Sequence, residues 1–191
     1  MDGLGRMRRI DWVFGYGSLI WDPGFSPVET ARAWVTGYAR SFCLRSVQHR
    51  GTQARPGLVL GLDEQPDAEC GGVALRIADH DHDEVLAYLR ARELVTEAYQ
   101  ETILPLRLED GRQVEALAYV MRRDHVQYAG GLALTEQARI IAQAHGARGP
   151  NADYLFNTAA HLAQIGLGDS VLDDLSAQVR KLLETGANPR D

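Results

Sequence analysis

Cysteine is scarce in this 191-residue chain: Cys43 and Cys70, 27 positions apart, are its only two. They make no CxxC pair and no zinc-ligand spacing, which excludes a redox dithiol and a structural zinc knuckle. Two reduced thiols in a cytoplasmic protein are the expectation. Long apolar runs are missing as well. No stretch reaches the roughly 18 apolar residues that cross a bilayer as a helix. The start, MDGLGRMRRIDW, carries basic residues with no apolar segment behind them, which argues against a secretory signal. Excess positive charge is also absent. The formal net charge is −6, whereas nucleic acid calls for a clustered basic surface. Neither nucleic acid nor membrane is therefore an expected partner. The chain has no GxGxxG dinucleotide fingerprint and no GxSxG nucleophile elbow. It shows no internal repeat, no low-complexity segment and no feature that specifies an oligomeric state.

What is present reads as one globular domain over residues 1–191. Hydrophobic residues make up 45% and charged residues 24%, ordinary values for such a domain. The first half is strand-like. WVFGYGSL, YARSFCLRSV, GLVLGL and GVALRIA are short apolar or alternating runs bounded by glycine, proline or polar clusters. TILPLRLEDGRQVEALAYVM reads as a hairpin turning at Asp110-Gly111, with Pro105 near an edge or bulge because it cannot donate to a ladder. Helices dominate the second half. LTEQARIIAQAHG has Thr135 as a cap and Gly146 as a stop. NADYLFNTAAHLAQIG begins at the capping residue Asn151 and ends at Gly166. SVLDDLSAQVRKLLETG carries an apolar stripe of Leu172, Leu175, Val179 and Leu182. One helix, HDHDEVLAYLRARE, comes earlier, with acids in its first turn where they suit the helix dipole. Strands early and helices late predict an α+β domain, and five or six short strands are enough to curl into a small barrel.

Several residues are chemical candidates. Glu93 lies four residues beyond Leu89, seven beyond Leu86 and eight beyond Val85, so it continues the apolar face of its helix. Burial there disfavours the charged carboxylate and raises its pKa, which suits an acid/base group near neutral pH. The alternative is a residue past the helix end, turned to solvent or paired with Arg90 or Arg92. In GYGSL, Gly15 and Gly17 let the backbone approach a ligand, and successive N–H groups can converge on a carboxylate. A plain structural turn is the alternative. HDHDE, residues 80–84, looks like a metal cluster, but adjacent and i+2 residues share no helix face and a third ligand is missing. It is read as a solvated helix start, with no metal. Arg45, His49 and Arg50 are either anion contacts or exposed strand ends. Tyr154, just inside its helix, either points a hydroxyl into a pocket or serves packing.

Taken together, VFGYGSLIWDPGF, FCLRSVQHRGT, RPGLVLGL, YLRARE…Y and GPNADYLFNTAAHLAQIG resemble the ChaC family of γ-glutamylcyclotransferases, in order and over about residues 11–184. The resemblance implies a small closed mixed β-barrel with flanking helices. It implies cleavage of glutathione to 5-oxoproline and cysteinylglycine, with no metal or organic cofactor. By position, Glu93 matches the catalytic glutamate, Tyr16, Gly17, Ser18 and Leu19 match the loop holding the γ-glutamyl group, and Tyr154 matches a pocket tyrosine. Tyr99, which closes the RE…Y segment, and Arg45 are carried as further substrate contacts. The stretch TEAY, with Glu97 and Ala98, replaces a run in which the family often has glycine, so the leaving-group preference is open. Two alternatives stand beside this expectation: a cyclotransferase for other γ-glutamyl amides or amino acids, and a non-catalytic binding or regulatory module.

Overall fold

The computed structural model describes residues 9–186, so most of the N-terminal stretch weighed as a signal lies outside the described residues. Five strands close into a barrel: β1 (Trp12–Gly15), β2 (Glu29–Ser46), β3 (Gly57–Arg76), β4 (Tyr99–Leu108) and β5 (Gln113–Met121). Their order is β1-β3-β2-β4-β5. β5 completes the ring by running parallel to β1, with Trp12 opposite Ala116, and parallel to β3, with Leu62 opposite Val120. The other pairings are antiparallel, so the sheet is mixed. Closure removes the exposed edges that an open sheet of this size would leave.

Side-chain alternation sorts most buried strand residues onto two large clusters, with a smaller third around Cys43, Leu44, Ala98 and Met121. Phe14, Leu58, Leu60, Leu62, Leu106 and Val120 belong to one buried cluster. That cluster also takes in residues of three helices, α2 (Leu134–Gln143), α3 (Asn151–Gln164) and α4 (Ser170–Glu184). Val13, Val73, Leu75, Leu117 and Tyr119 project the other way, against Val85 and Leu89 of helix α1 (His82–Glu93). The stripe expected on α4 is found: Leu172, Leu175 and Val179 are buried and Leu182 packs partly beneath them. Asp169 caps this helix, its side chain accepting from the Val171 and Leu172 amides. No helix among the described residues is long and apolar enough to cross a membrane.

The hairpin turn is where it was expected. Gly111 has φ +89°, its N–H donates to the Leu108 carbonyl, and Arg107 pairs with Gln113. Pro105 lies on β4, away from the two residues through which β4 and β2 are paired.

Other expectations need correcting. GLVLGL and GVALRIA are not separate strands but the two ends of β3. The polar run between them stays extended and slips register with β2 between Thr36 and Tyr38, where Gly37 has positive φ. That middle section is mostly exposed, so it carries no apolar signal. Thr135 does not cap α2: Ala133 holds that position, without a side-chain bond. The helix also stops before Gly146, at Gln143, and His145–Gly146 (β6) pairs with Gly149–Pro150 (β7). Asn151 starts α3 without capping it. Its fully buried amide instead donates to the Leu58 carbonyl and accepts from the Leu58 N–H, both at 2.7 Å.

Candidate active site

β1 runs directly into a turn, Tyr16–Gly17, and then a single 3-10 turn, Ser18–Ile20, closed by the Ile20 N–H donating to the Gly17 carbonyl. The first N–H groups of a helical turn have no partner within it, so those of Ser18 and Leu19 are available to a ligand. Arg40 of β2 secures this turn from the barrel wall. Its side chain is 5% exposed and pairs with Asp169 at 3.0 Å, while its Nε donates to the Tyr16 carbonyl at 2.6 Å. Its third nitrogen donates to the Gly71 carbonyl.

The turn borders a small, partly open cavity. Tyr16 to Leu19 line it on one side; Glu93, Leu60, Tyr99, Tyr119 and Tyr154 supply the rest. A β-carbon added at Gly17 would sit 3.4 Å from the Tyr154 hydroxyl, so glycine keeps this wall open. Gly15 has another role. A β-carbon there would meet Val73 at 3.1 Å and Leu19 at 3.2 Å, so it serves close packing rather than approach to a ligand.

Glu93 is the last residue of α1, one turn beyond the fully buried Leu89. Its side chain is 17% exposed and lies 3.1 Å from Arg92 Nε. It therefore neither turns to solvent nor lacks a partner. Burial raises its pKa above the usual carboxylate range, and the cations of Arg92 and Arg148 work against that rise. Arg90, the other candidate partner, points to Glu101 instead, with two bonds of 2.8 Å.

The tyrosines surround this carboxylate with neutral phenols. Burial, followed by the Glu93 charge, pushes Tyr16 well above the ordinary phenol value. Tyr99 and Tyr154 are also raised, chiefly by burial. The Tyr16 hydroxyl donates to the Tyr119 carbonyl and the Tyr99 hydroxyl to the Leu60 carbonyl, both at 2.7 Å. The buried Tyr119 hydroxyl lies beside the Glu101 carboxylate, and burial followed by that charge raises its pKa. The Tyr154 ring meets Phe42 edge-on at 6.0 Å and carries the Arg50 guanidinium over its face at 5.7 Å.

Of the residues singled out from sequence, the fold brings Tyr16, Gly17, Ser18, Leu19, Glu93, Tyr99 and Tyr154 around one cavity. Arg45 is not among them. It sits on β2 opposite Leu58, with its N–H and carbonyl both bonded to Gln127. Arg50, on the loop beyond that strand, is the cation that reaches the Tyr154 ring. Leu60 and Tyr119 were not anticipated, because each reads as an ordinary apolar strand residue until the barrel closes. Among the described residues no group of three His, Cys, Asp or Glu side chains is gathered as for a metal. In HDHDE, His80 is open to solvent, but His82 turns inward to the Ile10 carbonyl at 2.9 Å. The expectation that both histidines are solvated therefore holds for His80 alone.

A closed barrel that sets a half-buried glutamate beside a glycine-bearing turn is an arrangement suited to acid–base chemistry. The same fold is seen in a γ-glutamyl cyclotransferase specific to glutathione from yeast. That crystal structure superposes with a TM-score of 0.84 at 26% identity, covering 93% of this chain and 99% of the yeast chain. A family model described as ChaC-like protein matches residues 11–182, and the chain belongs to that family. It is 38% identical over 172 residues to a glutathione-specific gamma-glutamylcyclotransferase of Escherichia coli (strain K12), covering 90% of this chain and 74% of the relative. It is 37% identical over 180 residues to gamma-glutamylcyclotransferase 2-3 of Arabidopsis thaliana, covering 90% and 89%.

Proposed function

We propose that this chain is a γ-glutamylcyclotransferase that converts glutathione to 5-oxoproline and cysteinylglycine, with Glu93 as general base and then general acid. The observation that carries the reading is the half-buried Glu93 carboxylate lining the same cavity as the open Gly17–Leu19 turn. Membership of the ChaC-like family and the names of its relatives support it.

In the proposed reaction the α-carboxylate of the γ-glutamyl group is held by the backbone N–H groups at Ser18 and Leu19. The α-amine then folds back onto its own γ-carbonyl. Closing a five-membered lactam is intramolecular, so positioning contributes much of the acceleration. The new C–N bond forms from the amine nitrogen, and the amide C–N bond to cysteine breaks. The α-ammonium gives up two of its three protons and the departing nitrogen gains two, so neither water nor an outside proton is consumed. Glu93 is suited to relay them: ionised it accepts from the amine, protonated it donates to the leaving nitrogen. A carboxylate with a raised pKa does both near neutral pH. Neutral Tyr99, Tyr119 and Tyr154 offer polar contacts without adding charge. The buried, unpaired cysteines support a reducing, cytoplasmic setting.

The test is to incubate the purified protein separately with glutathione and with γ-glutamylalanine. Formation of 5-oxoproline from glutathione in preference to γ-glutamylalanine is the expected result. Turnover of γ-glutamylalanine alone would move the assignment to a cyclotransferase for γ-glutamyl amino acids. No 5-oxoproline from either would favour a binding module.

A further inference from the structure

One half-buried cation does not line the cavity, yet it touches both halves of the site. The Arg92 side chain is 15% exposed, and its Nε lies 3.1 Å from Glu93 Oε1. One terminal nitrogen donates to the Ser18 hydroxyl at 3.1 Å. The other donates to the Asp22 carbonyl at 2.7 Å and lies 3.9 Å from the Asp22 carboxylate. A single planar group thus spans the end of α1, the start of the 3-10 turn that follows β1 and the residue just beyond that turn's cap. We propose, resting on the function given above, that Arg92 is a positioning residue that locks the Gly17–Leu19 turn and the Glu93 carboxylate into one rigid unit. It lies outside the cavity and acts through Glu93 and Ser18, setting the separation between the bound α-carboxylate and the base.

The chemistry of the fork makes this specific. A guanidinium presents its donors in a fixed plane and remains charged, so it can hold three acceptors in a set geometry. A lysine ammonium supplies the charge but cannot reach a carboxylate, a hydroxyl and a carbonyl together from the same backbone position. Such locking matters because a catalytic constellation works only when held to within about 0.5 Å of its productive arrangement. The groups that face Glu93 from neighbouring elements are Arg148 of the β6–β7 turn and the neutral phenols of Tyr16, Tyr99, Tyr119 and Tyr154. Arg92 comes before Arg148 among the cations that keep the carboxylate ionised.

The experiment is a pH series of kcat and KM with glutathione for the wild type, Arg92→Met, Arg92→Lys, Ser18→Ala, and Arg92→Met combined with Ser18→Ala. Arg92→Met is expected to lower kcat/KM by about 10- to 100-fold, the worth of charge-assisted hydrogen bonds. It should also move the acid limb to higher pH, because Glu93 loses its foremost cation. Arg92→Lys should leave that limb near its wild-type position while raising KM. Ser18→Ala should cost less on top of Arg92→Met than alone, since the bond it removes is already gone. An unmoved acid limb with additive Ser18 and Arg92 effects would overturn the proposal and leave Arg92 as a prop for the helix end. So would a wild-type KM in Arg92→Lys, which decides the matter by itself if Arg92→Met fails to fold. Absence of 5-oxoproline from the wild type would instead remove the functional reading and this proposal with it.

Discussion

Helix α1 has two ends rich in chemistry-bearing side chains, and only one of them builds a site. At its start, His80 is 81% exposed and Asp83 fully so, while His82 spends its ring nitrogen on the Ile10 carbonyl. At its end, Arg92 and Glu93 are 15% and 17% exposed and meet at 3.1 Å beside a cavity. The first end holds more potential ligands in fewer residues. The second holds one carboxylate, shifted by burial and met by a turn from another part of the chain. Reactivity follows desolvation and convergence, not the local density of ionisable residues.

The sharpest break of this contrast is Glu93→Gln, which keeps shape and removes the proton acceptor. Turnover should fall by about 10²- to 10⁴-fold, measured on protein whose circular dichroism matches the wild type. Stability should move the other way. Because the Glu93 pKa is raised on folding, its protonated form favours the folded state, and that contribution is lost as pH rises through the folded value. Near neutral pH the Gln variant should therefore be no less stable than the wild type, and the two should converge as pH falls below the ordinary glutamate value. A lower Tm for the variant at pH 7 would contradict the burial argument.

Gly17→Val comes next. Its β-carbon would already lie 3.4 Å from the Tyr154 hydroxyl and 3.8 Å from Leu60, and the two branching methyls would intrude on the cavity. KM should rise at least tenfold with the fold intact, by calorimetry and steady-state kinetics. Asn151→Ala should act on stability instead. It leaves the buried N–H and carbonyl of Leu58 unpaired, at roughly 1–3 kcal/mol for each group, read by urea denaturation. The smallest effects belong to the other end of α1. His80→Ala with His82→Ala should leave the glutathione-cleaving rate unchanged and cost about 1 kcal/mol from the lost contact of His82 with Ile10. Chelation should leave the rate unchanged too, because an amine already tethered to its carbonyl needs no activated water.

Much of this was legible in the chain. Glu93 stood out because helical spacing from Leu89 and Val85 is a local property. The Asp110-Gly111 turn stood out because few dipeptides tolerate positive φ. The rest depended on partners distant in sequence. Asn151 has the chemistry of a helix cap, but Leu58, 93 residues away, takes its side chain. Nothing around Arg92 indicates that it bonds to Ser18, 74 residues earlier. Arg45 was drawn in by its neighbours His49 and Arg50, but strand register sets it off the cavity. β3 looked like two strands because its exposed middle carries charges where a core strand would show apolar residues.

The most direct test of the central claim follows the atoms. Glutathione is turned over by the wild-type protein in ¹⁸O-labelled water, and the products are identified by mass spectrometry. Attack by the substrate's own amine on its γ-carbonyl predicts equimolar 5-oxoproline and cysteinylglycine, with no label in either. Glutamate carrying ¹⁸O in its side-chain carboxylate would show that water is the nucleophile, and would contradict the intramolecular mechanism built on Glu93 and the Gly17–Leu19 turn.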